Sequence, residues 1–471
     1  MTLSVRRVRG VDRLEGPLAI VRRVPDVALG EEVVLRGRDG VARHGQVLEL
    51  DADWVVVQVY EGTLGLDLAA TAVELSGEPF RLGVSRGMLG RVLDGRGRPI
   101  DGGPAIVPAV SVDVNGQAIN PAARLGPHEF IETGITAIDL LATLVRGQKL
   151  PIFTGAGLPA NELAAAIATG ARVLGAEPFV TVLAALGITR READFFRDAF
   201  ASAGSLDRVA LFLNLAEDPA VERLLTPRCA LALGEHLAFD AGMHVLVVLT
   251  DITSYGDALR ELATAREEVP GRRGYPGYLY TDLARLFERA GRVRGKPGSL
   301  TLLPIVTMPD DDITHPIPDL TGYITEGQIV LSRELHARGI FPPIDVLPCL
   351  SRLMNAGIGR DRTRAEHRAV ADQLYALYAR GRDLRRLVAV IGEAGLTAGE
   401  QRILGFADRF EQDVVGQGGR HRTLDDSFDV AWSTLATLPS DELTGIPLDV
   451  LAEHFPSVRP EPAVAPPTPD P

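Results

Sequence analysis

The feature that most constrains the fold is an alternation of apolar runs with amphipathic stretches between about residues 130 and 345. The apolar runs are Leu150–Phe153, Phe179–Leu183, Val209–Leu213, His244–Leu249 and Leu302–Val306. Stretches with helical spacing separate them, such as Glu192–Ala203 and Tyr255–Val269. Strands that are buried on both faces read as continuous apolar runs, and parallel strands need crossover helices. The alternation therefore predicts an α/β domain with a mainly parallel sheet.

The segments on either side of this alternation have a different pattern. Before about residue 76, short β-branched runs such as Glu32–Leu35 and Trp54–Tyr60 are separated by Gly and Asp turns, which predicts a small barrel or sandwich. After about residue 355, apolar residues such as Val370, Leu374 and Leu377 fall at helical spacing. We therefore expect a β domain at 1–76, the α/β domain at 77–355, a helical domain at 356–455 and a Pro-rich disordered tail at 456–471.

Composition and charge exclude several classes of protein. The 471 residues, of which 46% are hydrophobic, are enough for more than one core, and the net charge of -13 argues against a general nucleic-acid binder. No apolar run reaches the ~18 residues of a membrane span, and the N-terminus lacks the apolar core of a signal peptide. Cys229 and Cys349 have the spacing of neither a disulfide framework nor a metal site. We therefore expect a cytoplasmic protein that meets a membrane only through partners.

One loop of the α/β region has the layout of a phosphate-binding loop but lacks its chemical groups. Phe153–Glu162 reads FTGAGLPANE between an apolar run and an alanine-rich stretch, which is the order strand, glycine loop, helix. A phosphate loop reads G-x-x-x-x-G-K-[ST]: backbone N–H groups hold phosphate oxygens, the lysine neutralises charge, and the hydroxyl binds Mg²⁺. If the motif begins at Gly155, its final G-K-[ST] positions are occupied by Ala160, Asn161 and Glu162. If it begins at Thr154, they are occupied by Pro159, Ala160 and Asn161. Neither register supplies the lysine or the hydroxyl.

Three interpretations of this loop stay open from its residues alone. The first is a degenerate nucleotide site that keeps the shape of the loop without its chemistry. Its residues would be Gly155, Gly157, Pro159, Ala160 and Asn161. The lysines of the chain, Lys149 before the strand and Lys296 beside a proline, cannot replace the missing one. The second is a dinucleotide fingerprint, although the next strand ends without the acidic residue that this motif needs. The third is a tight strand-to-helix turn with a proline in the first turn of the helix.

Four other segments carry residues that serve chemistry elsewhere. Asp251 ends an apolar strand, where phosphate-loop enzymes hold Mg²⁺ through water, but an Asp there is also a common helix N-cap. Asp310–Pro316 offers three carboxylates and a histidine, either for a metal or as a solvated interface loop. Glu267–Arg292 mixes Gly, Pro, Arg and Tyr, which is typical of a loop that contacts a partner or ligand. Arg352, after Ser351, is either a salt-bridge residue or a finger that reaches a neighbour's phosphate.

Together these segments resemble the B (beta, non-catalytic) subunits of V/A-type rotary ATPases. The matching stretches begin, in order, at Gly90, Glu132, His244, Ala265, Met308 and Pro342. They cover most of the span from about 85 to 355. A GLP-x-N loop without lysine is the B-type form, which separates the resemblance from the catalytic A subunits. The resemblance implies an N-terminal β-barrel, a central α/β nucleotide-binding domain of the phosphate-loop type and a C-terminal helical domain.

The resemblance also implies an assembly. Three A and three B subunits would alternate in an A3B3 ring that contacts central shaft and peripheral stalk subunits on the cytoplasmic side of a membrane. ATP or ADP with Mg²⁺ would lie at the interface with the A subunit. The ring would couple ATP synthesis or hydrolysis to the transport of protons or sodium ions. Membrane contact would come only through the ion-translocating sector, and nucleic acid is not an expected partner.

Few functional residues carry over from the family. Arg352 matches the arginine that B lends to the site of the A subunit, and Asp251 matches the strand-end acid of the second nucleotide motif. Where a catalytic subunit has its water-activating glutamate, this chain has Gly187–Thr189. The predicted interface residues are Ser351, Arg272, Arg273, Tyr275 and Asp311. Cys349 departs from the family's serine, and a small buried thiol should be tolerated there.

The sequence thus predicts a non-catalytic regulatory subunit that acts through Arg352 in trans, and it predicts no metal site formed by this chain alone. One alternative is a self-sufficient NTPase with an unusual phosphate loop. Another is an RNA-translocating hexameric motor of the same fold superfamily, which the acidic balance of the chain disfavours.

Overall fold

The structure, a computed structural model, describes residues 5–175 and 178–455. The predicted Pro-rich tail at 456–471 lies outside these described residues. The described residues form two compact units. The first contains the chain up to Pro127 and then Arg146–Gln328, and the second combines His128–Val145 with the chain from Ile329 onward. The boundaries predicted near residues 76 and 355 stay predictions.

The N-terminal part of the first unit is an antiparallel sheet. Its strands are β1 (Arg6–Arg9), β2 (Arg13–Glu15), β3 (Leu18–Arg22), β4 (Glu31–Arg36), β5 (Ala42–Leu50), β6 (Trp54–Val59) and β7 (Ala72–Pro79). They hydrogen-bond in the order β1-β7-β4-β5-β6-β3-β2. Because successive side chains of a strand point to opposite faces, Val33, Leu35, Val57 and Val73 all enter one apolar core. The strand-rich N-terminal domain is therefore confirmed.

The centre of the first unit is a parallel sheet. Further strands of the chain are β8 (Arg81–Val84), β9 (Val92–Asp94), β10 (Val110–Asp113), β11 (Arg124–Leu125), β12 (Ile131–Glu132), β13 (Ile152–Gly155), β14 (Arg172–Val173), β15 (Phe179–Ile188), β16 (Val209–Leu215), β17 (His244–Thr250), β18 (Gly291–Val293), β19 (Ser299–Met308), β20 (Gly327–Val330) and β21 (Leu350–Ser351). In this unit, β13-β19-β17-β15-β16-β9 are neighbours, and each pair is parallel. The predicted α/β domain is confirmed, and its apolar runs are the buried strands.

Helices connect these strands and make up most of the second unit. They are α1 (Thr136–Leu141), α2 (Ala160–Gly170), α3 (Arg190–Ser202), α4 (Ala220–Glu235), α5 (Ile252–Ala265), α6 (Leu279–Phe287), α7 (Pro316–Ile324), α8 (Arg333–Ala337), α9 (Met354–Gly357), α10 (His367–Ile391), α11 (Ala398–Arg409), α12 (Leu424–Leu435) and α13 (Leu448–His454). Tyr378 of α10 stacks on Phe410 at 4.5 Å between ring centroids, inside the second unit. The helical C-terminal domain is confirmed. Within residues 5–175 and 178–455, every helix is too short or too polar to cross a membrane.

Candidate functional site

The glycine loop keeps the backbone of an anion-binding turn. It joins the end of β13 to the start of α2, at the carboxyl edge of the parallel sheet. Gly157 has φ +79, a left-handed conformation that side chains with a Cβ rarely adopt, and the space around it is open. Ala156 and Gly157 are exposed. The first amide groups of a helix have no partner within the helix, so their N–H groups and the helix dipole favour an anion at this end of α2.

Asn161, which takes the place of the lysine in the register from Gly155, bonds to two neighbouring elements. Its Nδ2 donates to Oε1 of Glu192 at 2.9 Å, in the first turn of α3. Its Oδ1 accepts from the hydroxyl of Thr250, the last residue of β17, at 3.2 Å. We call Asn161, Glu192 and Thr250 the Asn161 junction. The side chain at the lysine position thus connects three segments of the chain.

The strand end that would carry a catalytic glutamate supplies a helix cap. β15 finishes at Ile188, which is 5% exposed, and Gly187 donates its N–H to Oδ1 of Asn214 at 3.1 Å. Thr189 then caps α3, and its N–H and its hydroxyl each lie 2.8 Å from Oε2 of Glu192. Both carboxylate oxygens of Glu192 are therefore bonded: Oε2 accepts from the cap residue Thr189, and Oε1 accepts from Asn161. Sequence reasoning missed Glu192, although the T-x-x-E pattern of a capping box was readable at 189–192.

Asp251 caps the next helix at the end of β17. Its Oδ1 accepts the N–H of Thr253 at 2.9 Å and the N–H of Thr307, at the end of β19, at 3.0 Å. Burial raises the pKa of this carboxyl group, and the backbone N–H groups oppose the shift by stabilising the charged form. The N-cap interpretation accounts for the bond from Thr253, and the bond from Thr307 links the cap to the neighbouring strand β19. A role for Asp251 in holding Mg²⁺ through water stays a prediction.

Neither lysine of the chain lies in a position to serve the loop. Lys149 is 3% exposed and precedes β13, at the end of the strand opposite the loop. Its Nζ lies 2.8 Å from Oε1 of Glu326 and 3.3 Å from Oε1 of Glu288. The Nζ of Lys296 lies 3.6 Å from Oδ1 of Asp240. The expectation that Lys149 cannot reach round to the phosphate position agrees with this geometry.

The two predicted interface loops bond to each other within the first unit. Arg272 donates to Oδ2 of Asp319 at 2.9 Å, and Arg273 donates to Oδ2 of Asp312 at 2.9 Å. Arg272, Arg273 and Asp311 are exposed, whereas Tyr275 is 2% exposed.

The Tyr275 hydroxyl donates to Oδ1 of Asp257 at 2.9 Å, and burial raises the pKa of Tyr275. Tyr275 therefore anchors the loop from inside, while the arginines face outward.

Of the three aspartates in Asp310–Pro316, Asp312 is the one that bonds to the other loop, through Arg273. Asp312 also accepts from the backbone N–H of Thr314 at 2.9 Å, which shapes the turn before α7. No group of three or more His, Cys, Asp or Glu side chains in the described part of the chain is placed to hold a metal ion.

Arg352 lies in the second unit, directly after β21. It is exposed, and the preceding Ser351 is 7% exposed. Cys349 fixes the segment before it: its thiol donates to the carbonyl of Asp345 at 2.9 Å and accepts the N–H of Val330 at 3.3 Å. Burial raises the pKa of the Cys349 thiol to about 12, so the group stays protonated. The thiol is well accommodated in place of the family's serine, and the segment presents Arg352 at the surface.

Family models cover almost the whole chain in order. The beta-barrel domain of the ATP synthase alpha/beta family matches residues 13–77, and the nucleotide-binding domain of the same family matches residues 134–351. The C-terminal domain of V and A type ATP synthase matches residues 356–455. The predicted sequence of β-barrel, nucleotide-binding α/β domain and helical domain is confirmed.

Individual relatives match along nearly the full length. The chain is 60% identical over 453 residues to a V-type ATP synthase beta chain of Anaeromyxobacter sp. (strain K), with 95% of each chain covered. It is 59% identical over 466 residues to one of Anaeromyxobacter dehalogenans (strain 2CP-1 / ATCC BAA-258), with 98% of this chain and 97% of the relative covered. Among solved structures, it is similar to a unique ATP synthase subunit, NeqB, from Nanoarcheaum equitans. That match has a TM-score of 0.71 and 35% identity, and covers 90% of this chain and 100% of the other. The chain belongs to the family of V-type ATP synthase beta chains, the B subunits of V/A-type rotary ATP synthases.

Proposed function

We propose that this chain is a non-catalytic, regulatory subunit whose Arg352 completes the ATP site of a neighbouring A subunit. The observation that carries the proposal is the combination of a phosphate-loop backbone without catalytic groups and an exposed arginine. The lysine position holds Asn161, which is bonded to Glu192 and Thr250. The position of the water-activating glutamate holds Ile188 and Thr189. Chemistry at this chain's own loop is therefore not supported, whereas Arg352 is exposed at the surface.

Arg352 would act on charge that develops during phosphoryl transfer. The transferring group spreads negative charge over its oxygens, and a guanidinium group can offer two parallel N–H donors to them. The guanidinium remains protonated throughout, so it contributes electrostatic stabilisation without transferring a proton. An arginine supplied in trans is worth roughly 10³–10⁵ in rate where it has been measured.

The degenerate loop would hold a nucleotide at the interface without hydrolysing it. Gly157 leaves the backbone accessible beside the buried Gly155, and the first turn of α2 beyond Ala160, at Asn161, presents N–H groups to a phosphate. The N–H of Ala160 itself donates to the carbonyl of Leu158 at 2.8 Å. Pro159 at the start of this helix has no N–H to offer. ATP or ADP with Mg²⁺ at the interface with the A subunit fits this donor set, since the backbone supplies phosphate ligands. Asp251 would act on a metal ion through water, with its Oδ1 held by two backbone N–H groups.

The assembly we propose is an A3B3 ring with central shaft and peripheral stalk subunits. The ring would lie on the cytoplasmic side of the membrane, contact it only through the ion-translocating sector, and couple ATP synthesis or hydrolysis to proton or sodium transport. The exposed arginines Arg272 and Arg273, with Asp311, are the charged groups we propose for contact with other subunits. Tyr275 would support their loop from within, and Ser351 would position Arg352.

Replacement of Arg352 in the assembled complex tests the proposal. Arg352→Ala should lower the ATPase rate by about 10³-fold or more while the subunits still assemble. Arg386→Ala is the matched control, because Arg386 is also an exposed arginine of the second unit, with its Nη1 3.5 Å from Asp383. Near-normal turnover of the Arg352→Ala complex would contradict the proposal.

Two measurements on the chain alone separate the alternatives. A self-sufficient NTPase would hydrolyse Mg-ATP at ordinary rates without an A subunit, whereas we expect calorimetry to show at most binding without turnover. An RNA-translocating motor would bind single-stranded RNA with a steep salt dependence. We expect no such binding, because the chain carries a net charge of -13.

A further inference from the structure

A cleft of about 700 Å³ lies in the first unit, away from the glycine loop. Its walls come from the segment that follows β9, from one face of α3 and from the start of α4. Asp94, the last residue of β9, pairs in register with Leu213 of β16, and both line the cleft. The cleft therefore lies at the carboxyl ends of two parallel strands, the edge at which α/β sheets usually bind ligands.

Most charged groups in the cleft already have partners of opposite charge. Asp94 accepts from Arg98 at 2.6 Å, and Arg197 lies 3.2 Å from Asp194. Arg190 bonds to Glu217 outside the lining set. The two charges within each pair neutralise each other, so these pairs do not require a ligand.

Two carboxylates at or just before the start of α4 have no ion pair within the described residues. Glu222 is 6% exposed and lines the cleft, and no hydrogen bond or ion pair of its carboxylate occurs within the described residues. Asp218, one turn earlier, accepts the backbone N–H of Leu215 at 2.6 Å but has no ion pair in the same set of residues. A buried carboxylate without a partner is costly. The unbalanced charge of this cleft is negative.

Glu61 and Asp101 also line the cleft, and each is paired with an arginine at 2.6 Å, Arg96 and Arg91 respectively. The remaining lining is aliphatic. Val92, Ile100, Leu213, Leu215 and Pro219 surround the acidic end. Apolar walls with a few unpaired charged groups are typical of sites for amphipathic small molecules, and a volume of about 700 Å³ is in the usual range for them. A bare metal ion fits less well, because no three His, Cys, Asp or Glu side chains of the described chain converge here.

We propose that this cleft binds a small organic cation, an alkyl ammonium or guanidinium group, through Glu222 with support from Asp218. The aliphatic wall would cover the alkyl part. The cation comes either from a free small molecule or from the side chain of a neighbouring subunit, since the recognition chemistry is the same. The site does not depend on the proposed role of Arg352, which lies in the other unit.

Calorimetric titration of the full chain with n-butylguanidinium tests the proposal, with n-butylurea as the neutral analogue of the same shape. At pH 8 we expect saturable binding of the cation and at least about ten-fold weaker binding of the urea. Glu222→Gln should weaken cation binding about ten-fold or more, and Asp218→Asn by a smaller factor. Asp198→Asn is the control: it removes the same charge from an exposed position of α3 outside the cleft.

The pH dependence provides a second readout. Burial, with Asp94 and Asp218 nearby, raises the pKa of Glu222 to about 7, while Arg98 and Arg96 oppose the shift. Cation affinity should therefore fall between pH 8 and pH 5.5, and this fall should be lost in Glu222→Gln. Equal binding of cation and urea, unchanged affinity in Glu222→Gln, or no saturable binding at millimolar concentrations would overturn the proposal.

A titration of the assembled complex distinguishes the two sources of the cation. Binding of butylguanidinium that persists in the complex assigns the site to a free small molecule. Binding to the isolated chain that is lost in the complex assigns it to a neighbouring subunit's basic side chain.

Discussion

Substitutions at Asn161 test whether the lysine position has become part of the internal support of the sheet edge. Asn161→Ala removes the hydrogen bonds to Glu192 and Thr250. Asn161→Asp keeps an acceptor for Thr250 but places a second carboxylate against Glu192. Glu162→Ala is the control, because Glu162 is the exposed neighbour of Asn161 in the same helical turn.

The expected losses of unfolding free energy follow from these contacts. A hydrogen bond to a charged group is worth about 1.5–3 kcal/mol and a neutral one about 0.5–1.5 kcal/mol. Asn161 and Glu192 are half-buried, so water can replace part of both lost hydrogen bonds. We therefore expect Asn161→Ala to lower the free energy of unfolding by about 1–3 kcal/mol. Two like charges about 4 Å apart repel by up to ~4 kcal/mol at an effective dielectric constant of ~20, before the side chains move apart. Asn161→Asp should therefore cost about 1–2 kcal/mol more than Asn161→Ala, and Glu162→Ala less than about 1 kcal/mol.

Urea unfolding followed by circular dichroism at pH 8 and pH 4 measures these differences. Repulsion raises the pKa of the carboxylate pair in the folded state. The extra penalty of Asn161→Asp is therefore fully present above that pKa and is relieved as the pH falls through it. At pH 8, an Asp variant as stable as Glu162→Ala would refute the assignment of Asn161 as a junction residue. So would a gap between the Asp and Ala variants that does not change with pH.

Three further predictions concern buried charges of the first unit. Burial raises the pKa of Glu222 from 4.5 to about 7, so ionised Glu222 costs up to ~3 kcal/mol above pH 7. Glu222→Gln should raise the melting temperature at pH 8 and leave it nearly unchanged at pH 4.5. Asp251→Ala should lower the free energy of unfolding by about 1–3 kcal/mol through loss of two N–H acceptor bonds, whereas Asp251→Asn should cost less, as chemical denaturation can show. Arg289 is 0% exposed, and its Nε and Nη2 donate to the two carboxylate oxygens of Glu235 at 2.7 and 2.6 Å. Arg289→Ala should therefore lower the free energy of unfolding by about 3–5 kcal/mol in the same assay.

The strands of the sheet could be predicted because a strand that is buried on both faces has a continuous run of apolar residues in the sequence. The run predicted at Val209–Leu213 is β16 with two more residues, and the run at His244–Leu249 is β17 with one more residue. The same local pattern predicted the strand, turn and helix of the glycine loop. The fold class could thus be predicted from apolar periodicity, and the resemblance added the family.

The internal bonds of the site could not be predicted, because they join residues far apart in the chain. Asn161, Glu192 and Thr250 meet only because β13, β15 and β17 end at one edge of the sheet, and the sequence does not give the strand order or register. The sequence likewise gives no sign that His128–Val145 belongs to the second unit while the segments on either side belong to the first. The buried position of Tyr275 depends on Asp257 and His315, which come from two other segments.

The most direct test of the central claim is steady-state ATP hydrolysis by the assembled complex that carries Arg352→Ala or Arg352→Lys. If Arg352 stabilises transferring phosphoryl charge, Arg352→Ala should lower kcat and kcat/KM together by about 10³-fold or more, with nucleotide affinity nearly unchanged. Arg352→Lys should recover only part of the rate, because lysine keeps the charge but loses the bidentate geometry. A rate within about ten-fold of the unmodified complex, or a loss confined to KM, would contradict the assignment of Arg352 to the chemical step.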